Sequence, residues 1–237
     1  MTNTPVTDLI RKHQREYAQS HVSGSLNTKI VARIESLPGA PFAFTMETGC
    51  GKSTILLSNM SRRHVVFTMD DRHLGDRSSV NYYLNCPHSR PVELVYGPTQ
   101  LTLPAFSFDR PLGLALIDGP HAFPFPHLEY YHIYPHLEKG AYLIIDDIDI
   151  ASVGNFYSVI KEDEMFEVVD VVSGKTAILR RTEALTFDPL GDGWSTQNYN
   201  RRRMPRRSPG LKGYLWGKLS KPLKRIAKSP LRRSSLC

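Results

Sequence analysis

The chain has 237 residues, 41% of them hydrophobic and 10% aromatic, which suits one domain with a sizeable core and extensions rather than two full domains. Its formal charge of +7 is unevenly placed: from Arg201 onward there are 13 Lys and Arg and no acids, leaving 17 basic against 23 acidic residues in 1–200, a net of −6. Cys50, Cys86 and Cys237 lie far apart with no CxxC pair, which excludes a disulfide framework or cysteine zinc site and fits a reducing compartment.

In chain order, residues 5–19 read as a polar helix, and Leu26 to Leu37 as a second, with Ile30, Ile34 and Leu37 at helical spacing before Pro38-Gly39. The period then changes to short apolar runs, the mark of buried strands: 42–46 (FAFTM), 64–69 (HVVFTM), 92–96 (VELVY), 112–117 (LGLALI) and 141–145 (AYLII). Helix-like segments lie between them at Ser53 to Ser61, Ser78 to Cys86 and His127 to Glu138. Strands alternating with helices imply a doubly wound parallel sheet. Residues 166–172 and 176–180 are joined only by Ser173-Gly174-Lys175, hairpin spacing that makes one of them antiparallel. The organisation read from this is a helical extension over 1–26, an α/β domain over 27–187 and a basic, Pro/Arg-rich tail over 188–237 that is expected to be largely disordered.

The strongest local signal is 46–54, METGCGKST, at the exit of the first strand. Glycines there let a ligand approach the backbone, and the following helix offers free N–H groups. One reading is a P-loop, since Gly51-Lys52-Ser53-Thr54 completes G-x-x-x-x-G-K-[ST] and ETGCGKST resembles the first motif of DEAH-type helicases; Met46, however, stands where that pattern needs glycine. The other is an adenosylmethionine loop, acidic-x-Gly-x-Gly, which Glu47, Gly49 and Gly51 fit without mismatch. Glu47 would then take the amino group of the methionine part, with Thr48 and Ser53 beside the same ligand. Asp70 ends the second strand ~20 positions further on, where a nucleoside-binding sheet places a carboxylate for the ribose.

The later segments LIDGPH (116–121) and AYLIIDD (141–147), with the intervening PFPHLEYYHIYPHLEKG, resemble bacterial class I S-adenosylmethionine-dependent methyltransferases. The group resembled has Asp-Gly-x-His after its fourth strand and Asp-Asp after its fifth, and the likeness runs from about residue 40 to 183. It implies a Rossmann-like, seven-stranded sheet with the last strand inserted antiparallel, and S-adenosylmethionine as methyl donor. It further implies that Asp118, Asp146 and Asp147 hold Mg2+, as in cation-dependent O-methyltransferases, with Asp118 also near the cofactor. His121 is the candidate general base. His127, His132 and His136 read as ordinary helix or loop residues, and Lys52 as solvent-facing.

The function expected is methyl transfer to an oxygen of a small molecule or glycan. Two alternatives stay open: a P-loop nucleotide-binding protein, and a methyltransferase fold that binds without turnover. No apolar run reaches the ~18 residues of a membrane span, and residues 1–19 do not read as a signal peptide, so a cytoplasmic location is expected. In the tail, Leu215, Trp216, Leu219, Leu223 and Ile226 make an approximate apolar stripe among lysines, a pattern for an anionic membrane surface. The acidic body argues against nucleic acid.

Overall fold

Leu112–Ile117 forms strand β4 with all six residues buried, as a run apolar on both faces demands. In the computed structural model, which describes residues 4–17, 26–184, 194 and 197–203, it lies in a seven-stranded sheet of order β3-β2-β1-β4-β5-β7-β6. The other strands are β1 (Thr45–Thr48), β2 (His64–Thr68), β3 (Glu93–Tyr96), β5 (Leu137–Ile145), β6 (Phe166–Val172) and β7 (Thr176–Arg181). β1 pairs in parallel with β2 on one side and β4 on the other, Thr48 standing level with Phe67 and Ile117. The strand order reverses between β1 and β4, so the loops leaving them part and open a crevice.

Helices α1 (Val6–Glu16), α2 (Thr28–Glu35), α3 (Lys52–Met60) and α4 (Ser79–Leu84) contribute to the core on one face of the sheet; α5 (Thr99–Ala105), α6 (Phe125–Ile133) and α7 (Ala151–Ile160) contribute to the core on the other. Alternation within β4 divides them: Leu114 and Leu116 pack with Ile30, Ile34 and Leu56, while Ala115 and Ile117 pack with Phe67, Leu143 and Phe156. α2 starts where Asn27 accepts a hydrogen bond from the Ile30 amide, a side-chain N-cap.

β6 and β7 form the expected hairpin, and β7 is the antiparallel strand, inserted between β5 and β6. Its turn carries Ser173 and Gly174 at φ 56° and 67°, the left-handed pair of a tight hairpin. The first strand lies further along than its apolar run suggested, covering Thr45–Thr48, because parallel pairing to β2 and β4 carries the ladder through Glu47. Two helices lacked a clear periodic signal in the sequence, α5 and α7. The chain divides into units 1–201 and 202–237, and only Arg202 and Arg203 of the second are described, ending α8 (Asn198–Arg203). The expected tail stripe at 215–226 lies outside the described residues. Among the described residues no helix is long and apolar enough to cross a membrane.

Candidate functional site

A cavity of about 530 Å³ opens at the carboxyl ends of β1, β2, β3 and β4. Its walls are the glycine loop (Gly49 to Ser53), the β2 exit (Thr68, Met69, Asp71), the β3 exit (Gly97 to Gln100) and the β4 exit (Asp118 to His121). Leu26, Phe67, Tyr82 and Phe125 supply apolar surface. A mostly apolar crevice with a few convergent polar groups at the switch point of a parallel sheet is where such folds bind ligands.

Gly49, Gly51 and Ser53 line the cavity. Gly49 sits at φ +92°, and a Cβ there would stand 2.5 Å from the backbone oxygen of Asp118, so the β1 and β4 exits touch through a glycine. Lys52 is half-buried and lines the cavity instead of facing solvent, and burial lowers its pKa. Thr48 lies beneath the cavity: its hydroxyl accepts from Asp118 N at 3.1 Å and donates to Glu129 Oε2 at 2.8 Å.

Glu47 and Asp70 are placed away from the cavity wall. Glu47 is fully buried inside β1, its Oε1 3.1 Å from His64 Nε2, because the strand continues past it. Asp70 is exposed and bound by Arg72, Oδ2 lying 2.6 Å from a guanidinium nitrogen, and that pairing lowers its pKa to about 2. Its neighbour Asp71 lines the cavity and accepts from the backbone amides of Ser79 and Val80 at the start of α4.

The acids after β4 and β5 converge. His121 Nε2 is 2.8 Å from Asp147 Oδ2 and 3.7 Å from Asp118 Oδ1, close enough to pair electrostatically, yet it has no aligned hydrogen-bond partner. One donor atom from each of Asp118, His121 and Asp147 lies within 4.8 Å of the others. Asp147 holds this place at φ 56°, a left-handed conformation uncommon outside glycine and costing about 1–2 kcal/mol. Asp146 stands outside the group: it accepts from Thr176 Oγ1, and Lys175 Nζ lies 3.4 Å away. Lys175 also lies 2.8 Å from Asp147 Oδ1.

Desolvation pushes the Asp118 carboxyl up to about 7, with a counteracting contact from His121. The Asp118 contact raises the His121 imidazole, against its burial and with help from Asp147. Burial raises Asp146, partly offset by Thr176. His127 and His136, which had read as ordinary residues, pack on Phe156 and Phe108 respectively.

Residues 46–148 match a family described as "Methyltransferase domain". Over that stretch, somewhat less than half of the chain, the protein is similar to methyltransferase domains. Solved structures similar to this chain include the O-methyltransferase from Bacillus cereus in complex with SAH, at 14% identity and TM-score 0.53, covering 77% of this chain and 92% of that one. The O-methyltransferase TomG from Streptomyces achromogenes, involved in tomaymycin synthesis and solved with SAM, gives 14% and 0.55 over 76% and 91%. The SAH-bound methyltransferase PaMTH1 from Podospora anserina gives 13% and 0.56 over 74% and 88%. No curated protein sequence matches the chain.

Sequence reading missed Asp71, Glu129 and Lys175. Asp71 was half visible as the second member of Asp70-Asp71. Lys175 was visible only as a hairpin turn residue, and its partners were set by the antiparallel insertion of β7. Glu129 carried no signal beyond its place in a helix, yet it is buried and its pKa is pushed up to about 7, chiefly by desolvation.

Proposed function

We propose that the protein transfers a methyl group from S-adenosylmethionine to an oxygen of a small hydroxylated acceptor. The observation that carries this is one cavity with the glycine loop on one wall and Asp118 and His121 on another, His121 being backed by Asp147. The donor lies along Gly49, Gly51 and Ser53, with Asp71 at the β2 exit on the ribose side and apolar Leu26, Tyr82 and Phe125 around the remainder. Methyl transfer forms the new C–O bond as the donor's S–CH3 bond breaks and S-adenosylhomocysteine leaves, and it needs the acceptor proton removed. His121 takes that proton, and Asp147 and Asp118, both beside its Nε2, stabilise the imidazolium that results.

His121 Nε2 and the neighbouring carboxylate oxygens also fit a divalent cation, which Asp118, His121 and Asp147 would hold. When bound it would lower the pKa of an acceptor hydroxyl. Asp146 holds Thr176 and Lys175 and so fixes the hairpin turn against the site.

The test is incubation with methyl-labelled S-adenosylmethionine and a panel of catechols, phenols and glycosides. Label on an acceptor oxygen supports the reading; label confined to nitrogen or sulfur acceptors sinks it.

A further inference from the structure

The buried carboxyl of Glu129 has no part in the chemistry above, yet it sits where three loops of the cavity meet. Its Oε2 accepts from Thr48 Oγ1, which in turn accepts from Asp118 N. Thr48 ends β1 and Asp118 follows β4, so one hydroxyl ties two strand ends to a side chain of α6. The Thr99 hydroxyl, at the start of α5 on the cavity wall, faces the same carboxyl without hydrogen-bond alignment.

Gly119 supplies the second observation. A Cβ at that position would stand 2.2 Å from Glu129 Oε1 and 2.9 Å from its carboxyl carbon. Gly119 is not among the glycines with positive φ, so its backbone torsion does not demand glycine. The packed carboxyl does. Glu129 is only 2% exposed and is held by Thr48, so it cannot swing aside without losing that bond. Burying a carboxyl with one oxygen unpartnered is costly, and an apolar side chain at 129 would avoid that cost.

We propose that Glu129 is a positioning residue: from α6 it fixes the Thr48 hydroxyl and the Asp118–Gly119 turn, and so sets where Asp118 and His121 stand at the cavity. The Asp-Gly pair in the sequence is then half of a contact whose other half is Glu129. The idea leans on the methyltransferase reading only for its probe, S-adenosylhomocysteine.

The experiment measures S-adenosylhomocysteine affinity by calorimetry, at a temperature where circular dichroism shows each variant folded. Glu129→Ala should bind about tenfold more weakly, whereas Glu129→Gln, which can still accept from Thr48, should stay within about threefold. A residue that only supported the fold would lower Tm and leave the affinity of the folded protein unchanged. Gly119→Ala should reproduce the loss, and Gly119→Ala/Glu129→Ala should be no worse than Gly119→Ala alone, in affinity and in Tm. Unchanged affinity in folded Glu129→Ala, or additive losses at the two positions, would overturn the proposal. If Glu129→Ala does not fold, Thr48→Val takes its place, with the same loss expected and unchanged affinity overturning it. If the wild type ignores S-adenosylhomocysteine, the cofactor reading fails by itself, and the His121 imidazole titration followed by NMR decides this one: a shift in folded Glu129→Ala with none in Glu129→Gln upholds it, and no shift in Glu129→Ala overturns it.

Discussion

Gly49 packs so closely on Asp118 that a single added carbon would stand 2.5 Å from the Asp118 carbonyl oxygen. The two residues belong to the β1 and β4 exits, and their contact closes the floor of the cavity. Gly49→Ala should therefore part the loops as well as strain a backbone at φ +92°, costing about 2–3 kcal/mol of stability and most cofactor affinity. Denaturant unfolding and calorimetry check both. Gly51→Ala is the contrast: a Cβ there meets nothing within 4 Å, so its cost is torsional only, about 1–3 kcal/mol, with no parting of the loops.

His121 is predicted to matter for chemistry and little for donor binding. His121→Asn should lower kcat by about 10²–10⁴, the usual worth of a general base, while S-adenosylhomocysteine affinity stays within a few-fold. Equal losses in both would show that His121 holds the ligand instead of moving a proton.

Asp147 permits a clean separation of charge from backbone. Asn tolerates the left-handed conformation almost as well as Asp, so Asp147→Asn at φ 56° removes charge with little strain. The variant should lose turnover and keep S-adenosylhomocysteine binding. Excess chelator distinguishes the two roles of the group: loss of turnover with binding intact indicates a cation held by Asp118, His121 and Asp147, and full turnover leaves His121 as a metal-free base.

Much of this arrangement was legible beforehand, and the misses share a cause. The fourth strand, the hairpin and the alternation of strands and helices were readable because they are local patterns of apolar residues. Gly49, Gly51, Ser53, Asp118 and His121 were readable because short motifs at strand exits reach the crevice directly. Glu47 and Asp70 were misplaced because strand length and an i,i+2 pairing with Arg72 decide where those carboxylates go, and neither shows as periodicity. Glu129 and Lys175 were invisible because their hydrogen-bond partners Thr48 and Asp146 lie 81 and 29 positions away, a relationship that only the packed topology creates.

Glu129 should also leave a mark on stability. Its carboxyl is raised from 4.5 to about 7, so the folded state favours the protonated form. Its contribution is fully present below about pH 4.5 and is lost as pH rises through about 7, at most about 3 kcal/mol. The wild-type Tm should accordingly fall between pH 5 and pH 8, and Glu129→Gln should flatten that slope. Some slope should persist in the variant, because Asp118 is raised in the same sense. Parallel slopes in calorimetric scans of the two proteins would contradict this.

The measurement that bears most directly on the whole account is a thermal-shift comparison of S-adenosylhomocysteine with ATP and Mg2+. The sequence 46–54 satisfies most of a P-loop as well as a methyl-donor loop, so the two ligands compete as explanations of one cavity. The account predicts stabilisation by S-adenosylhomocysteine, about 2.7 kcal/mol at a hundredfold excess over Kd, and no shift with ATP. A shift with ATP and Mg2+, and none with S-adenosylhomocysteine, would contradict it.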